Sequence, residues 1–273
     1  MPELPDLIIV AEQLAERLTG REVLEATAPA PILVRATPAE LASLAGSVVG
    51  RARRRGKFLL LPFERDGREE RLLAANPMLA GRFWLLDDGA SKMRARTGLR
   101  LRFADGSELR YVDREMLGKL YLVPPDGLDA IPGWTEMGPD ADDPELTAER
   151  FRERIRRHPG ELKSLLRNSR FVAGIGNAYS DEILWAAQLA PLRRRSTLRP
   201  EDIDRLYDAM RTVLADAVVR LRDLVPPDIQ LQHREFLKVH LRGGEPCPRC
   251  GRPLRQIGGD EATTFCRTCQ PPM

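Results

Sequence analysis

The sequence predicts an α+β multidomain chain: a β-rich N-terminal domain of sandwich or barrel type, a helical domain after it, and a zinc ribbon at the end. Three observations predict it. Residues 22–123 break into short apolar runs separated by turn dipeptides, residues 147–224 carry helical spacing, and the four cysteines all fall in the final stretch as two CxxC pairs.

With 273 residues and 42% hydrophobic content, the chain can bury a core in more than one domain. The formal charge is only +3 although 30% of residues are charged, so basic side chains must cluster locally if they are to bind a polyanion. No charged leader runs into an apolar stretch and no run reaches bilayer-spanning length, which predicts a cytoplasmic protein without a membrane partner.

The first element is a helix. Leu7, Val10, Ala11, Leu14 and Leu18 follow Pro5-Asp6 at helical spacing, with Asp6 as the expected cap and Gly20 as the stop. Strands are expected at 47–49, 58–62, 82–86, 99–103, 109–112 and 120–123, with turns at Asp66-Gly67, Asp88-Gly89 and Asp105-Gly106. Pro124-Pro125-Asp126-Gly127 closes this domain (1–125) and opens a linker (126–143). The helical domain (144–232) shows helices at 147–157, 161–167, 177–188 and 200–224. Between two of them lies Ala173-Gly174-Ile175-Gly176-Asn177, a glycine-rich turn ending in a residue that can cap the next helix. Amides at such a helix start can hold a phosphate oxygen, although an ordinary interhelical turn reads the same.

The last part (233–273) holds Cys247, Cys250, Cys266 and Cys269. Each CxxC pair places two thiolates on one side of a tight turn, and two such turns complete a tetrahedral site with no open position, hence one structural Zn2+. Two disulfides are the weaker alternative in a chain read as cytoplasmic.

Candidate chemistry lies at the start of the chain. Removal of Met1 leaves Pro2 as a free secondary amine beside the Glu3 carboxylate, a constellation that can attack a sugar carbon. Lys57 follows Arg51, Arg53, Arg54 and Arg55. On position alone, the weaker alternative for Glu3 is a helix-entry acid, and an equal one for Lys57 is a solvated strand-end cation. No phosphate loop, dinucleotide fingerprint or histidine-rich site is present, which argues against a small-molecule enzyme.

Taken together, Met1-Pro-Glu-Leu-Pro-Asp6, Arg53-Arg-Arg-Gly-Lys-Phe-Leu-Leu60, Gly138-Pro139, Leu162-Lys-Ser-Leu-Leu166, Val172-Ala-Gly-Ile-Gly-Asn177 with Asp181-Glu-Ile-Leu-Trp185, Gly244-Glu-Pro-Cys-Pro-Arg-Cys-Gly251 and Phe265-Cys266 span nearly the whole chain. In this order they resemble the formamidopyrimidine-DNA glycosylase and endonuclease VIII family of base-excision repair enzymes. The resemblance implies an N-terminal β-sandwich with flanking helices, a helix-two-turn-helix domain and a zinc ribbon, in a monomer that binds damaged double-stranded DNA. It also implies a bifunctional glycosylase and AP lyase. Pro2 attacks C1′, Glu3 transfers protons during sugar-ring opening, Lys57 contacts the sugar-phosphate and assists base release, and β- or β,δ-elimination follows. Leu79, with Met78 beside it, falls at the family's wedge position, which fills the gap left by a flipped nucleotide. Lys163 and Asn177 fall at positions that grip phosphates. Arg193, Arg194 and Arg195 could extend that surface, although three arginines after a helix are more often just solvated.

The sequence departs from the family in four places, the mildest being Asp6 in place of the more usual glutamate. Asp113-Arg-Glu-Met-Leu-Gly118 puts Glu115 and Leu117 where the intercalating arginine and phenylalanine stand, and a carboxylate lacks an arginine's donors. The segment 225–233 lacks a long loop over an oxidised purine, which leans toward an endonuclease VIII-like pocket. Asp260 and Glu261 occupy the place of a phosphate-binding arginine. The alternative reading is a damaged-DNA-binding protein without chemistry; the joint presence of Pro2, Glu3 and Lys57 favours the enzyme.

Overall fold

A computed structural model describes residues 1–88, 92–259 and 262–271, so the expectation for Asp260 and Glu261 lies outside the described residues. The chain forms two compact units. One comprises Met1–Pro2, Asp6–Thr135 and Leu221–Gln232, and the other Glu3–Pro5, Glu136–Arg220 and His233–Met273.

The apolar stripe beginning at Leu7 gives α1 over Leu4–Leu18, with Leu7, Leu14 and Leu18 buried. The helix starts earlier than expected. Asp6 therefore lies in its first turn, where the dipole favours an acid, and is not its cap.

In the first unit the chain continues as β1 (Val23–Thr27), β2 (Val34–Arg35), α2 (Pro38–Ala42), β3 (Val48–Val49), β4 (Arg53–Arg55), β5 (Phe58–Arg65), β6 (Arg68–Asn76), β7 (Gly81–Leu86), β8 (Thr97–Phe103), β9 (Glu108–Asp113) and β10 (Lys119–Val123). One sheet has the order β1-β8-β9-β7 and the other β2-β10-β6-β5-β3, with β4 also paired to β5. Alternate residues of both sheets meet in one core: Leu99, Leu101 and Phe103 from the first, Leu59, Leu61 and Phe63 from the second. This is the predicted sandwich. The turn Asp66-Gly67 has φ of 50° and 72°, the left-handed pair that a two-residue hairpin between β5 and β6 requires.

Four strands of this unit were not expected: β1, β2, β4 and β6. The sequence of β6, REERLLAAN, holds no β-branched or aromatic residue and reads as helix. It becomes a strand because it is paired on both sides, with Leu73 opposite Leu61 of β5 and Leu122 of β10.

The second unit contains α3 (Ala148–Arg156), α4 (Leu162–Arg167), α5 (Asn177–Ala186) and most of α6 (Pro200–Leu224). Thr147 caps α3 by accepting from the Arg150 amide at 3.3 Å. Two turns join α4 to α5. In the first, Phe171 N–H donates to the Asn168 carbonyl at 2.9 Å; the second contains Gly174 at φ 101°. A Cβ on Gly174 would come within 2.7 Å of the Leu4 side chain, so this turn tolerates only glycine. The chain ends in a hairpin of β11 (Arg255–Ile257) and β12 (Thr263–Phe265). No helix among the described residues is long and apolar enough to cross a membrane.

Candidate active site

A helix start leaves backbone N–H groups without partners, and Gly176, the N-cap of α5, has no side chain to meet them. Glu3 does so. Its carboxylate, 2% exposed, accepts from Gly176 at 2.5 Å, Ala178 at 2.9 Å and Tyr179 at 3.3 Å. A Cβ on Gly176 would lie 2.5 Å from the Glu3 carboxyl carbon, so the glycine is a condition of this contact. The turn that could have cradled a phosphate holds a carboxylate instead. Asn177 is the first helical residue and not the expected cap.

Pro2 is buried in the first unit, its nitrogen in an amide with Met1. The Met1 carbonyl accepts from Gln232 Nε2 at 3.0 Å, and the same Nε2 lies 3.4 Å from an Asp6 carboxylate oxygen. Arg82 donates through Nη2 to Gln232 Oε1 at 2.7 Å. Beside Pro2 lies a cavity of about 20 Å3, walled by Pro77, Phe83 and Leu231 among others, with room for about one water. Lys57 is half-buried in the turn between β4 and β5, which Gly56 makes possible at φ 57°.

Leu79 and Leu117 project from two loops of the first unit, 50% and 46% exposed. The Asp113 carboxylate, fully buried, shapes the second loop by accepting from Glu115 N–H at 3.0 Å, Leu117 N–H at 3.0 Å and Gly118 N–H at 2.6 Å. Met116, at φ 56°, turns inward onto the sandwich core, while Glu115 and Leu117 point out. The buried Tyr111 hydroxyl reaches the Pro77 carbonyl at 3.4 Å and abuts Gly81 and Gly118, where an added Cβ would collide with it. Burial pushes this phenol well above its ordinary range. Met78 lies partly buried beside Leu79 at φ 49°, its N–H held by Asn76 at 3.1 Å. Next to Leu79 opens a basin of about 760 Å3 lined by Trp84, Arg82, Arg94, Arg96 and Arg114. Arg94 stacks on Trp84 with its guanidinium carbon 3.7 Å from the ring centre.

In the second unit, Lys163 and Asn177 meet on one acceptor: Lys163 Nζ is 3.2 Å and Asn177 Nδ2 3.1 Å from the Ala262 carbonyl. Lys163 also pairs with Asp181 at 2.6 Å and is 5% exposed. Burial lowers its pKa, with the Asp181 charge opposing. The Asn177 side-chain oxygen is buried without a hydrogen-bond partner among the described residues. Asp181 accepts further from Thr264 N–H at 3.3 Å and lies 2.8 Å from His240 Nδ1. Its neighbour Glu182 accepts from the amides of Lys238, Val239 and His240 at 2.9, 2.8 and 2.9 Å. These adjacent acids of α5 clasp the segments that enter and close the ribbon. Arg193 faces inward, bonded to Asp202 at 2.7 Å, and does not extend a phosphate-binding surface.

The four cysteine sulfurs lie within 4.8 Å of one another, with Cys247 to Cys269 at 3.9 Å and Cys250 to Cys266 at 3.5 Å. These separations are far beyond a disulfide bond of about 2.05 Å. They match the edge of about 3.8 Å that follows from tetrahedral Zn–S bonds of about 2.3 Å. The donor set fits one structural zinc, and the protein carries it as such. Trp185 of α5 donates its indole N–H to Cys247 Sγ at 3.4 Å. Burial raises the Cys247 pKa, but the indole and two backbone amides outweigh it and bring the thiol down to about 6.

The sequence signals did not single out Asp113, Tyr111, Arg82 or Gln232 for any role. Asp181, Glu182 and Trp185 stood within a quoted motif, but their partners lie about 60 residues away or more.

A β-sandwich in a chain that opens Met-Pro-Glu, followed by paired helices and a four-thiolate ribbon, is the layout expected of a DNA glycosylase of base-excision repair. Residues 1–120 match the formamidopyrimidine-DNA glycosylase N-terminal domain, 137–224 the formamidopyrimidine-DNA glycosylase H2TH domain, and 244–272 the zinc finger found in FPG and IleRS. The formamidopyrimidine-DNA glycosylase of Pelotomaculum thermopropionicum is 32% identical over 99% of both chains. That of Symbiobacterium thermophilum is 34% identical over 99% of this chain and 90% of its own. Among solved structures, MutM in complex with DNA containing carbocyclic 8-oxo-G superimposes with a TM-score of 0.88 at 26% identity, covering 99% of this chain and 100% of that one. Lactococcus lactis Fpg with DNA containing N7-benzyl-Fapy-dG gives 0.89 at 26% identity and the same coverage. The chain belongs to the formamidopyrimidine-DNA glycosylase family.

Proposed function

We propose that the protein, once Met1 is removed, excises oxidised bases from double-stranded DNA through Pro2 and then cleaves the strand as an AP lyase. The Pro2 nitrogen bonds to C1′ with its lone pair, and the glycosidic bond breaks with its electrons leaving on the base. The amine gives up its proton, and the C1′–O4′ bond then breaks, its electron pair and a proton going to O4′, to leave an iminium between nitrogen and C1′. The iminium acidifies the C2′ proton; its loss expels the 3′ phosphate, which is β-elimination. Glu3, next in the chain, moves protons at the sugar. Lys57 meets the sugar-phosphate, and Lys163 and Asn177 supply donors to phosphate oxygens, contacts that fix register but carry no sequence information.

Leu79, supported by Met78, enters the stack in place of the flipped nucleotide, and Leu117 takes the part of an aromatic wedge. Glu115 offers acceptors to the orphaned base; the donors come from Arg114 and the arginines of the basin beside Leu79. The protein acts as a monomer in the cytoplasm, on nucleoid DNA.

The observation that carries this reading is a buried Pro2 with a cavity beside it, followed directly by a carboxylate held by three backbone amides. A mere binder needs none of these. Borohydride trapping on duplex DNA with an abasic site tests it. The mature protein forms a covalent adduct, while N-terminal acetylation abolishes it and Pro2→Gly slows it at least about 100-fold. Salt-sensitive binding to the same duplex with no adduct from the mature protein would establish the non-catalytic alternative.

A further inference from the structure

Gln232 is fixed in one orientation by three neighbours. A guanidinium has only donors, so the amide end 2.7 Å from Arg82 Nη2 is the oxygen. The other end faces the Met1 carbonyl at 3.0 Å and an Asp6 carboxylate oxygen at 3.4 Å, both acceptors, so it is the NH2 group.

The carbonyl carbon of Met1 is the atom bonded to the Pro2 nitrogen. In the covalent complex with DNA that place belongs to C1′. The oxygen that Gln232 meets therefore stands in for an oxygen carried by C1′: O4′ of an intact nucleotide, or the aldehyde oxygen of an opened abasic site. Either must leave C1′ with the bonding pair before an iminium exists.

We propose that Gln232 is a further catalytic residue, donating a hydrogen bond from Nε2 to the oxygen that departs from C1′, with Arg82 and Asp6 as positioning residues for its amide. This rests on Pro2 being the nucleophile. As the N–C1′ bond forms and the C1′–O bond breaks, the electron pair moves to oxygen: O4′ takes one proton and remains on the sugar as a hydroxyl group, whereas the aldehyde oxygen takes two, one from the Pro2 nitrogen and one from the general acid, and leaves as water. The amide gives up no proton. It lowers the energy of the oxygen while charge accumulates there, and being neutral it does not repel the cationic iminium. The amide meets the oxygen in an orientation already set by Arg82, so little reorganisation accompanies the step.

The test uses mature protein with Met1 removed, confirmed by mass. Adduct formation under single-turnover borohydride trapping is compared on a base-bearing duplex and on an abasic duplex. Removing one preorganised donor costs on the order of 100-fold, so Gln232→Leu slows both reactions by about that factor. Affinity for a duplex with a tetrahydrofuran abasic analogue, read by fluorescence anisotropy, stays within about threefold, which also shows that the variant folds. Gln232→Glu, equal in shape but without donors, is no faster than the leucine variant. Arg82→Met slows the parent but adds nothing in the Gln232→Leu background, since Arg82 acts through Gln232.

An unchanged rate for Gln232→Leu overturns the proposal, and so does slowing confined to the base-bearing duplex, which would place the contact on the base. Additive effects of the two substitutions remove Arg82 from the arrangement. If the parent forms no adduct at all, the nucleophile itself is wrong; if the parent traps and Gln232→Leu traps equally, only Gln232 is.

Discussion

Two buried carboxylates, one in each unit, are wired almost alike. Glu3 gathers the N–H groups of Gly176, Ala178 and Tyr179; Asp113 gathers those of Glu115, Leu117 and Gly118. Both need glycine beside them, because a Cβ on Gly176 would strike Glu3 and one on Gly118 would lie 2.9 Å from Asp113. Yet their surroundings assign them different work. Glu3 follows a proline that can become an amine, whereas Asp113 precedes side chains that all point away from it except the inward Met116. A carboxylate that collects backbone amides is thus no mark of catalysis by itself. What Asp113 does is hold a loop in shape while Glu115 and Leu117 project from it.

The sharpest way to separate the two is to neutralise each. Glu3→Gln keeps the size of the side chain but loses proton transfer, so single-turnover base release per folded molecule falls by about 10²–10⁴-fold, with a loss of about 1–3 kcal/mol of stability from the missing charge-assisted acceptor. The next effect falls on sulfur, which collects an N–H in the same way. Trp185→Phe removes the indole donor from Cys247, and zinc affinity measured by chelator competition drops about 10–100-fold with DNA chemistry intact in zinc excess.

Asp113→Asn separates from Glu3→Gln in activity, not in stability. Its loop loses charge-assisted acceptors and stability falls by about 1–3 kcal/mol in urea denaturation, while the folded fraction keeps activity within about tenfold. A dead Asp113→Asn protein of unaltered stability would break the comparison.

The smallest effect belongs to Asp202, a carboxylate that faces guanidinium groups as well as an amide. Burial works against its charge, but the Arg199 amide and the Arg193 and Arg205 side chains prevail and hold its pKa below the ordinary value. The unfolded chain therefore takes up the proton first as acid is added. The contribution is complete above about pH 5, clear of the ordinary aspartate value, and is lost as pH falls through the lower folded value, so the stability gap between parent and Asp202→Asn narrows as the pH falls below about 5.

What could be read in the sequence was local. The CxxC spacing sets the ribbon because both thiolates of a pair sit on one turn, and the helical repeat between 200 and 224 needs no partner to be seen. The β6 strand was hidden since its residues favour helix and only pairing with β5 and β10 overrules them. The α5 cap was misassigned to Asn177 for a similar reason: the true partner, Glu3, lies more than 170 residues away in the chain. Gln232 carried no signal whatever, because a lone glutamine after a proline-rich segment looks like any surface residue until the fold places it against the Met1 carbonyl.

That carbonyl has an outcome for the life of the molecule. An amide nitrogen holds its lone pair in resonance with the carbonyl, so under the role proposed for Pro2 the chain with methionine still attached is its own stopper. On that proposal, newly made copies stay dormant until an aminopeptidase trims them, and a tag fused ahead of the proline leaves a folded but silent protein.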